Sequence, residues 1–273
     1  MKKILEYFVI IIGFIISLIY TRNITNIAKN NDPIMKNIES VSNKLKEESV
    51  NAVIDEKNII PGINGCEIDI NKSYENMKKI NLYNEKLLKY KDVIPEITIH
   101  NIYDKYITSG NDINRNVSLI VYIKNNIENV NKINNVYLNV FVDASIIKDG
   151  KIEISNNMKI YNAGDNLNYD DINIEWMNDV ISDNYNMSNY CINLDKNDNN
   201  LLMCARNKMH TISPTQIVKK NIYSIKEFIT NGSIIYFDES NIGKINELSS
   251  YLIKKGYNIV FLDELLSEKN CEK

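Results

Sequence analysis

Between Ile4 and Tyr20 almost every residue is apolar, broken by Glu6, and the apolar positions run all round a helix instead of marking one stripe. A helix of about 17 such residues covers roughly 25 Å, a little less than the hydrocarbon thickness of a bilayer. The run ends in Leu18, Ile19, Tyr20, Thr21 and Arg22, without the small residues of a signal-peptidase site. The pattern predicts an uncleaved signal anchor over residues 1–22. Lys2 and Lys3 lean toward an inside amino terminus, which puts the rest of the chain outside the cytoplasmic membrane. Met35, Ile38, Val41 and Leu45 then fall at helical spacing in a polar stretch, predicting an amphipathic stalk or linker over 23–49.

A small α+β module is predicted over 50–112. The runs NAVID, NIIPGI and CEIDI read as short strands, and Asn71 as the cap of a helix whose Tyr74, Met77, Ile80, Tyr83 and Leu87 share one face. From 113 to 273 the pattern changes to strand-length apolar runs alternating with helical stripes. VSLIVYI, VYLNVFV, MKIY, YCINL, MHTIS, SIIYF and NIVFL are the strands. The helices between them carry Ile127, Val130 and Ile133, then Ile174, Met177 and Ile181, then Leu201 and Cys204, then IYSIKEFI, then Ile242, Ile245, Leu248 and Leu252. Gly256 is the expected stop of the last helix and Asp263 the cap of a final turn. Buried strands joined by helical crossovers predict an α/β architecture, either a parallel layer or an incomplete (β/α) barrel.

Composition narrows the function more than the fold. With 44% hydrophobic and 25% charged residues in 273, the chain can bury a full core. A net charge of -3 supplies no basic surface for phosphates, so nucleic acid is excluded as a partner. The Asn runs, such as DKNDNN, read as a surface drifted toward Asn rather than as a functional low-complexity tract. Cys66, Cys191, Cys204 and Cys271 offer no CxxC pair and no zinc-ribbon spacing. Outside the membrane, Cys191 and Cys204 either pair across a short segment or stay as free buried thiols.

The closing stretch, NGSIIYFDES followed by INELSSYLIKKGYNIVFLDELLSE, resembles the end of the polysaccharide deacetylases, the NodB-homology family. That family closes with a strand ending Leu-His-Asp, a helix, and a Gly-Tyr-x-Phe-Val-Thr-Leu strand. NVFVDASII resembles its second strand, and PGINGCEIDINKSYENM resembles the segment that precedes the catalytic domain in membrane-anchored clostridial members. The resemblance covers about Val117 to Glu268. It implies an incomplete (β/α) barrel of the polysaccharide deacetylase type, preceded by a transmembrane helix and a small α+β module.

The family's chemistry, as the resemblance implies it, is hydrolysis of an N-acetyl group by a divalent metal such as zinc. One Asp and two His hold the metal, and a second Asp activates the water. Here Tyr122 and Ile123 stand where Thr-Phe-Asp-Asp-Gly would place both carboxylates, and Ala163 and Leu167 stand at the spaced His pair. Phe237 stands at the closing His, and YCINL lacks the Arg and Pro of the Arg-x-Pro-Tyr motif. The resemblance thus implies degenerate positions, no metal and no cofactor.

Asp143, Asp165 and Asp238, with Glu239, remain near strand ends. They form either a relocated carboxylate or sugar-hydroxyl groove, or helix caps and an Asx turn. Tyr122, Tyr161, Tyr169 and Trp176 either stack on a sugar ring or fill the core. His100 and His210 lie at no ligand position and read as structural. Three functions follow: a membrane-anchored, extracytoplasmic deacetylase-like protein without catalysis that binds envelope glycan or a protein partner; an active deacetylase with relocated ligands; or a structural envelope protein.

Overall fold

A computed structural model describes residues 2–133, 135–148, 152–219 and 222–271. It divides the chain into two compact units, one of residues 1–49, 64–93 and 270–273 and the other of 50–63 and 94–269. This departs from the expected small module at 50–112, because 50–63 and 94–112 build the second unit.

The first unit opens with the helix Lys2–Asn31. Within it, Ile11–Asn31 is long and apolar enough to cross a membrane, with mean hydropathy 1.4. Pro33 stops this helix and starts the next: it drives Asp32 into an extended conformation, and its missing N–H costs nothing in the first turn. Asp32 caps the helix Pro33–Leu45 by accepting from the Ile34 amide at 2.9 Å. The same carboxylate accepts from Tyr74 and Lys78, and the Lys78 ammonium holds it below its usual range. The stretch expected as a stalk is therefore part of a folded core, in which Ile34 and Ile38 pack with Ile68, Met77 and Leu88. Ile68 belongs to an antiparallel hairpin of Gly65–Ile68 with Tyr90–Val93, and Met77 to the helix Ile70–Ile80. That helix is capped by Asp69, two residues before the expected Asn71, because Asp69 is the carboxylate that reaches the Lys72 amide. A disulfide joins Cys66 to Cys271.

In the second unit, five parallel strands lie in the order Gln216–Val218, Ile234–Phe237, Asn116–Ile123, Leu138–Val142 and Met158–Asn162, and Asn258–Ile259 adds to the start of Asn116–Ile123. A second sheet runs Val53–Asp55, Asn58–Ile60, Tyr106–Ile107, His210–Ile212, Tyr190–Ile192. Residues alternate between two cores. Val117, Leu119, Val121 and Ile123 face the outer one, with the helices Asp171–Asn184 and Ile245–Lys254; Ile120 and Tyr122 face the inner one with Phe141, Tyr161, Tyr190 and Tyr236. The segment expected as a helix from Ile127 is a 3-10 turn, Ile127–Lys132, and IYSIKEFI is helical only over Tyr223–Lys226.

No backbone ladder joins Met158–Asn162 to Tyr190–Ile192 among the described residues, and side chains sew that seam instead. The Asn186 amide accepts from the Ile160 N–H and donates to its carbonyl, both at 3.1 Å, and Ser188 accepts from Asn162. The buried Tyr169 hydroxyl accepts from the Ile192 amide at 2.9 Å and lies 3.2 Å from the Asn162 carbonyl. This is an incomplete barrel whose gap is spanned by Asn186, Ser188 and Tyr169.

Candidate functional site

At the carboxyl ends of the strands, the residue following Val142 is Asp143, fully buried and the cap of the short helix Ala144–Ile147. Its carboxylate accepts from the Ser145 amide at 3.0 Å, the Ser145 hydroxyl at 2.7 Å, the Tyr122 hydroxyl at 2.7 Å and the Asn166 amide at 2.7 Å. Burial pushes this carboxyl up, but the four donors outweigh it and hold it below the usual carboxylate range. Tyr122 responds in the opposite sense: burial first, then Asp143, push its phenol far above its ordinary value. The Tyr122 hydroxyl is a protonated donor whose proton is already committed to Asp143, so it cannot take a proton from water as a carboxylate does.

The Asn166 donor is delivered by a tight turn. Asp165 and Asn168 exchange both backbone hydrogen bonds, leaving Asn166 and Leu167 as the two central residues with φ of 53° and 60°. That is the hairpin geometry in which Asn is tolerated and Leu is costly. Leu167 is held there by packing on the inner core. Gly164 precedes the turn at φ 67°, where a Cβ would come within 2.1 Å of the Asn168 carbonyl.

The five degenerate positions do not converge. Tyr122, Ala163 and Leu167 share the inner core, whereas Ile123 and Phe237 are buried in the outer one. The cause is strand alternation: Ile234 and Tyr236 point inward, so Phe237 points out and the next residue toward the inner side is Asp238. Burial and then Asp238 raise the Tyr236 phenol. Asp238 accepts from Ser240 and from Asn241 and makes no cap to the following turn. Asp165 is exposed and takes the Asn166 side chain instead of forming an Asx turn.

Other expected candidates have structural partners. Tyr161 and Tyr169 are buried, and Trp176 packs against the outer core. His100 is exposed. His210 stacks on Tyr103 at 4.6 Å, and burial lowers its imidazole to about 4. Asp263 is not a cap, since it sits inside the last helix and accepts from Lys159 and Tyr161. Cys191 and Cys204 are joined by a disulfide.

One contributor was overlooked in the sequence, and Glu239, named there as a strand-end acid, serves neither as a groove carboxylate nor as a helix cap. Glu239 accepts from the backbone amides of Lys124, Asn125 and Asn126, fixing the loop after the first strand. Asn139, fully buried, ties Ser118 and Leu119 to the Leu262 amide. An Asn in the middle of VYLNVFV was the visible signal for it. For Glu239 the role was not readable, because its partners are backbone groups more than a hundred residues away.

Among the described residues, no group of three or more His, Cys, Asp or Glu could hold a metal ion. The side chains at Tyr122, Ala163 and Leu167 do not fit a divalent ion, which needs carboxylate or imidazole donors.

No protein-family model and no curated protein matches this chain. Among solved structures, BA3943 from Bacillus anthracis, a CE4 family pseudoenzyme, superposes with a TM-score of 0.62 at 20% identity, over 87% of this chain and 96% of that one. A BA3943 mutant gives a TM-score of 0.62 at 20% identity, over 86% of this chain and 98% of that one. A BA3943 mutant with restored enzymatic activity gives 0.61 with the same identity and coverage. The α/β architecture, its parallel strands and these superpositions together identify the fold of this chain as that of the family 4 carbohydrate esterases, the polysaccharide deacetylases.

Proposed function

We propose that this chain is a membrane-anchored polysaccharide deacetylase-like protein, with its body outside the cytoplasmic membrane, that binds cell-envelope glycan or an envelope protein and does not deacetylate. The observation that carries the reading is the Tyr122–Asp143 hydrogen bond. At one of the two positions that resemble the family's paired carboxylates, a phenol spends its proton on a buried carboxylate already saturated with donors. Neither partner is left to activate water or to take a metal, and no divalent metal is part of the proposed function. The pseudoenzyme description of BA3943 supports the same reading by likeness of fold. The two disulfides support an oxidising compartment. The apolar helix at the amino terminus supports anchoring.

The test uses the full chain purified in detergent. Metal analysis is expected to find no stoichiometric zinc, cobalt or manganese, and N-acetylglucosamine oligomers to release no acetate. One metal per chain with acetate release overturns the proposal. Sedimentation with insoluble peptidoglycan is expected, weakened by Leu167→Arg, which adds bulk at the strand-end face without changing the turn's need for a positive φ. Equal binding by that variant removes the strand-end face from the reading.

A further inference from the structure

A depression of about 440 Å³ opens at the other ends of the strands, beside the start of Met158–Asn162 and away from Asp143 at the carboxyl ends. Its walls include Ser155, Asn156, Lys159, Tyr185, Asn186 and Phe261. The charge of this wall is the first constraint on a ligand. Among the described residues that line it, Lys159 is the one with charge, its ammonium is bound to the Asp263 carboxylate, and it lies 4.8 Å over the Phe261 ring. A neutralised lysine gives little to a phosphate or sulfate, and a wall without carboxylates gives nothing to a cation.

The neutral groups are the second constraint. The Asn156 amide is exposed, the Ser155 hydroxyl is half-buried, and the Asn186 carbonyl oxygen uses one of its two lone pairs on the Ile160 amide. These groups donate and accept in turn, as the hydroxyls of a sugar require. Beside them, Phe261 and Tyr185 supply aromatic carbon for the apolar C–H face of a pyranose ring. The Tyr185 hydroxyl is engaged with the Ile152 backbone and Phe261 packs on Tyr137 at 4.9 Å, so both rings are held in place before any ligand arrives. Rigid aromatic walls lower the ordering cost of binding. The volume lies inside the range of about 300–1,000 Å³ typical of small-ligand sites.

We propose that this depression is a second saccharide site, for one or two neutral hexose or N-acetylhexosamine units of a glycan chain. It shares no residue with the face around Tyr122, and its argument does not depend on that face binding anything. In a protein that holds a polymer, two footholds on one glycan raise avidity without new contacts at either.

The test titrates the full chain in detergent micelles with the β-1,4-linked dimer of N-acetylglucosamine and with cellobiose, read by saturation-transfer NMR, and with inorganic phosphate, read by phosphorus NMR line broadening. Asn156→Trp fills the depression from an exposed position, and a thermal melt matching the parent protein shows that it folds. The expected result is transfer to at least one disaccharide and no phosphorus perturbation for phosphate, with the disaccharide binding that persists in Leu167→Arg at least about tenfold weaker once Asn156→Trp is added. Absence of transfer to both disaccharides, phosphate binding abolished by Asn156→Trp, or disaccharide binding indifferent to that variant each overturns the proposal. Binding lost only in Leu167→Arg also overturns it, and leaves the strand-end reading of the preceding section intact.

Discussion

The Tyr122 hydroxyl donates to the Asp143 carboxylate across 2.7 Å, joining the ends of two adjacent parallel strands. Removing it in Tyr122→Phe leaves a buried carboxylate with one donor fewer, and the expected loss is about 1.5–3 kcal/mol, the range for hydrogen bonds to charged groups. Asp143→Ala is expected to cost more, since it leaves the Tyr122 hydroxyl and the amides of Ser145 and Asn166 without their acceptor. Urea denaturation orders the two. A Tyr122→Phe protein as stable as its parent removes the energetic basis for this pair.

The two disulfides make a prediction about compartment and about stability. Cys66 and Cys271 are 205 residues apart in sequence and Cys191 and Cys204 only 13, so in the chain-entropy picture the first constrains the unfolded chain more. Cys271→Ser is expected to lower stability by about 2–5 kcal/mol, and Cys204→Ser by an amount at the lower end of that range. Protein unfolded at extraction in the presence of an alkylating reagent is expected to carry no alkylated cysteine by mass spectrometry, all four being held in disulfides. Stoichiometric alkylation in that experiment places the chain in a reducing compartment and refutes the extracytoplasmic reading.

His210 sets a pH dependence. Its imidazole is stacked on Tyr103, its Nδ1 has no hydrogen-bond partner, and burial lowers it to about 4. An unfolded His takes its proton near 6.5, so between about 6.5 and 4 the unfolded chain binds a proton that the folded chain refuses. Stability from this residue is complete above the unfolded value and falls as pH drops through that window, by on the order of 3 kcal/mol in total. His210→Phe keeps a ring against Tyr103 and cannot titrate. Its stability is expected to fall less than the parent's between pH 7 and 4, and parallel curves contradict the assignment.

What could be read from the sequence depended on how local the cause was. The parallel strands VSLIVYI, LNVFV, MKIY and SIIYF announce themselves as near-continuous apolar runs, broken only by Ser118, Asn139, Lys159 and the leading Ser233, because a strand covered on both faces is mostly apolar along its length. Direction is harder: Phe237 was assigned to the site, yet a one-residue shift in register sends it to the outer core and brings Asp238 to the strand end. The stalk was misjudged because Ile38 and Val41 are alike apolar on a free helix and on a packed one, and their partners Ile68 and Met77 come from a later stretch. The Cys66–Cys271 pair joins two distant stretches, and spacing alone cannot announce such a bond.

The amino-terminal helix predicts how the protein fractionates. Ile11–Asn31 meets the length and hydropathy of a span, and its apolar side chains at Phe14, Leu18 and Ile19 are exposed. The full chain is expected to sediment with membranes, to resist high-salt washing and to be released by detergent. In cells stripped of wall, added protease is expected to digest the body of the chain. Release by salt alone removes the spanning assignment, and protection until lysis reverses the orientation.

The seam closed by Asn186 allows a test of the barrel itself. The Asn186 side chain does what a neighbouring strand would do, accepting from the Ile160 N–H and donating to the Ile160 carbonyl. Ile160 is fully buried, so its backbone has little access to water as an alternative partner. Asn186→Ala removes both hydrogen bonds and is expected to cost about 2–4 kcal/mol, from about 1–3 kcal/mol for each orphaned group, reduced where the strand relaxes. Asn186→Asp separates the two halves of the interaction: its carboxylate still accepts from the Ile160 amide but faces the carbonyl with a second oxygen. That variant is expected to be at least as destabilised as Asn186→Ala at neutral pH and to recover as pH falls and the carboxyl protonates, since the protonated acid can again donate. Hydrogen exchange at the Ile160 amide is the direct reading. Faster exchange there in Asn186→Ala, with the Val140 amide of the neighbouring strand little changed, marks a side chain acting as a strand; a uniform increase across both marks global destabilisation and argues against a local seam.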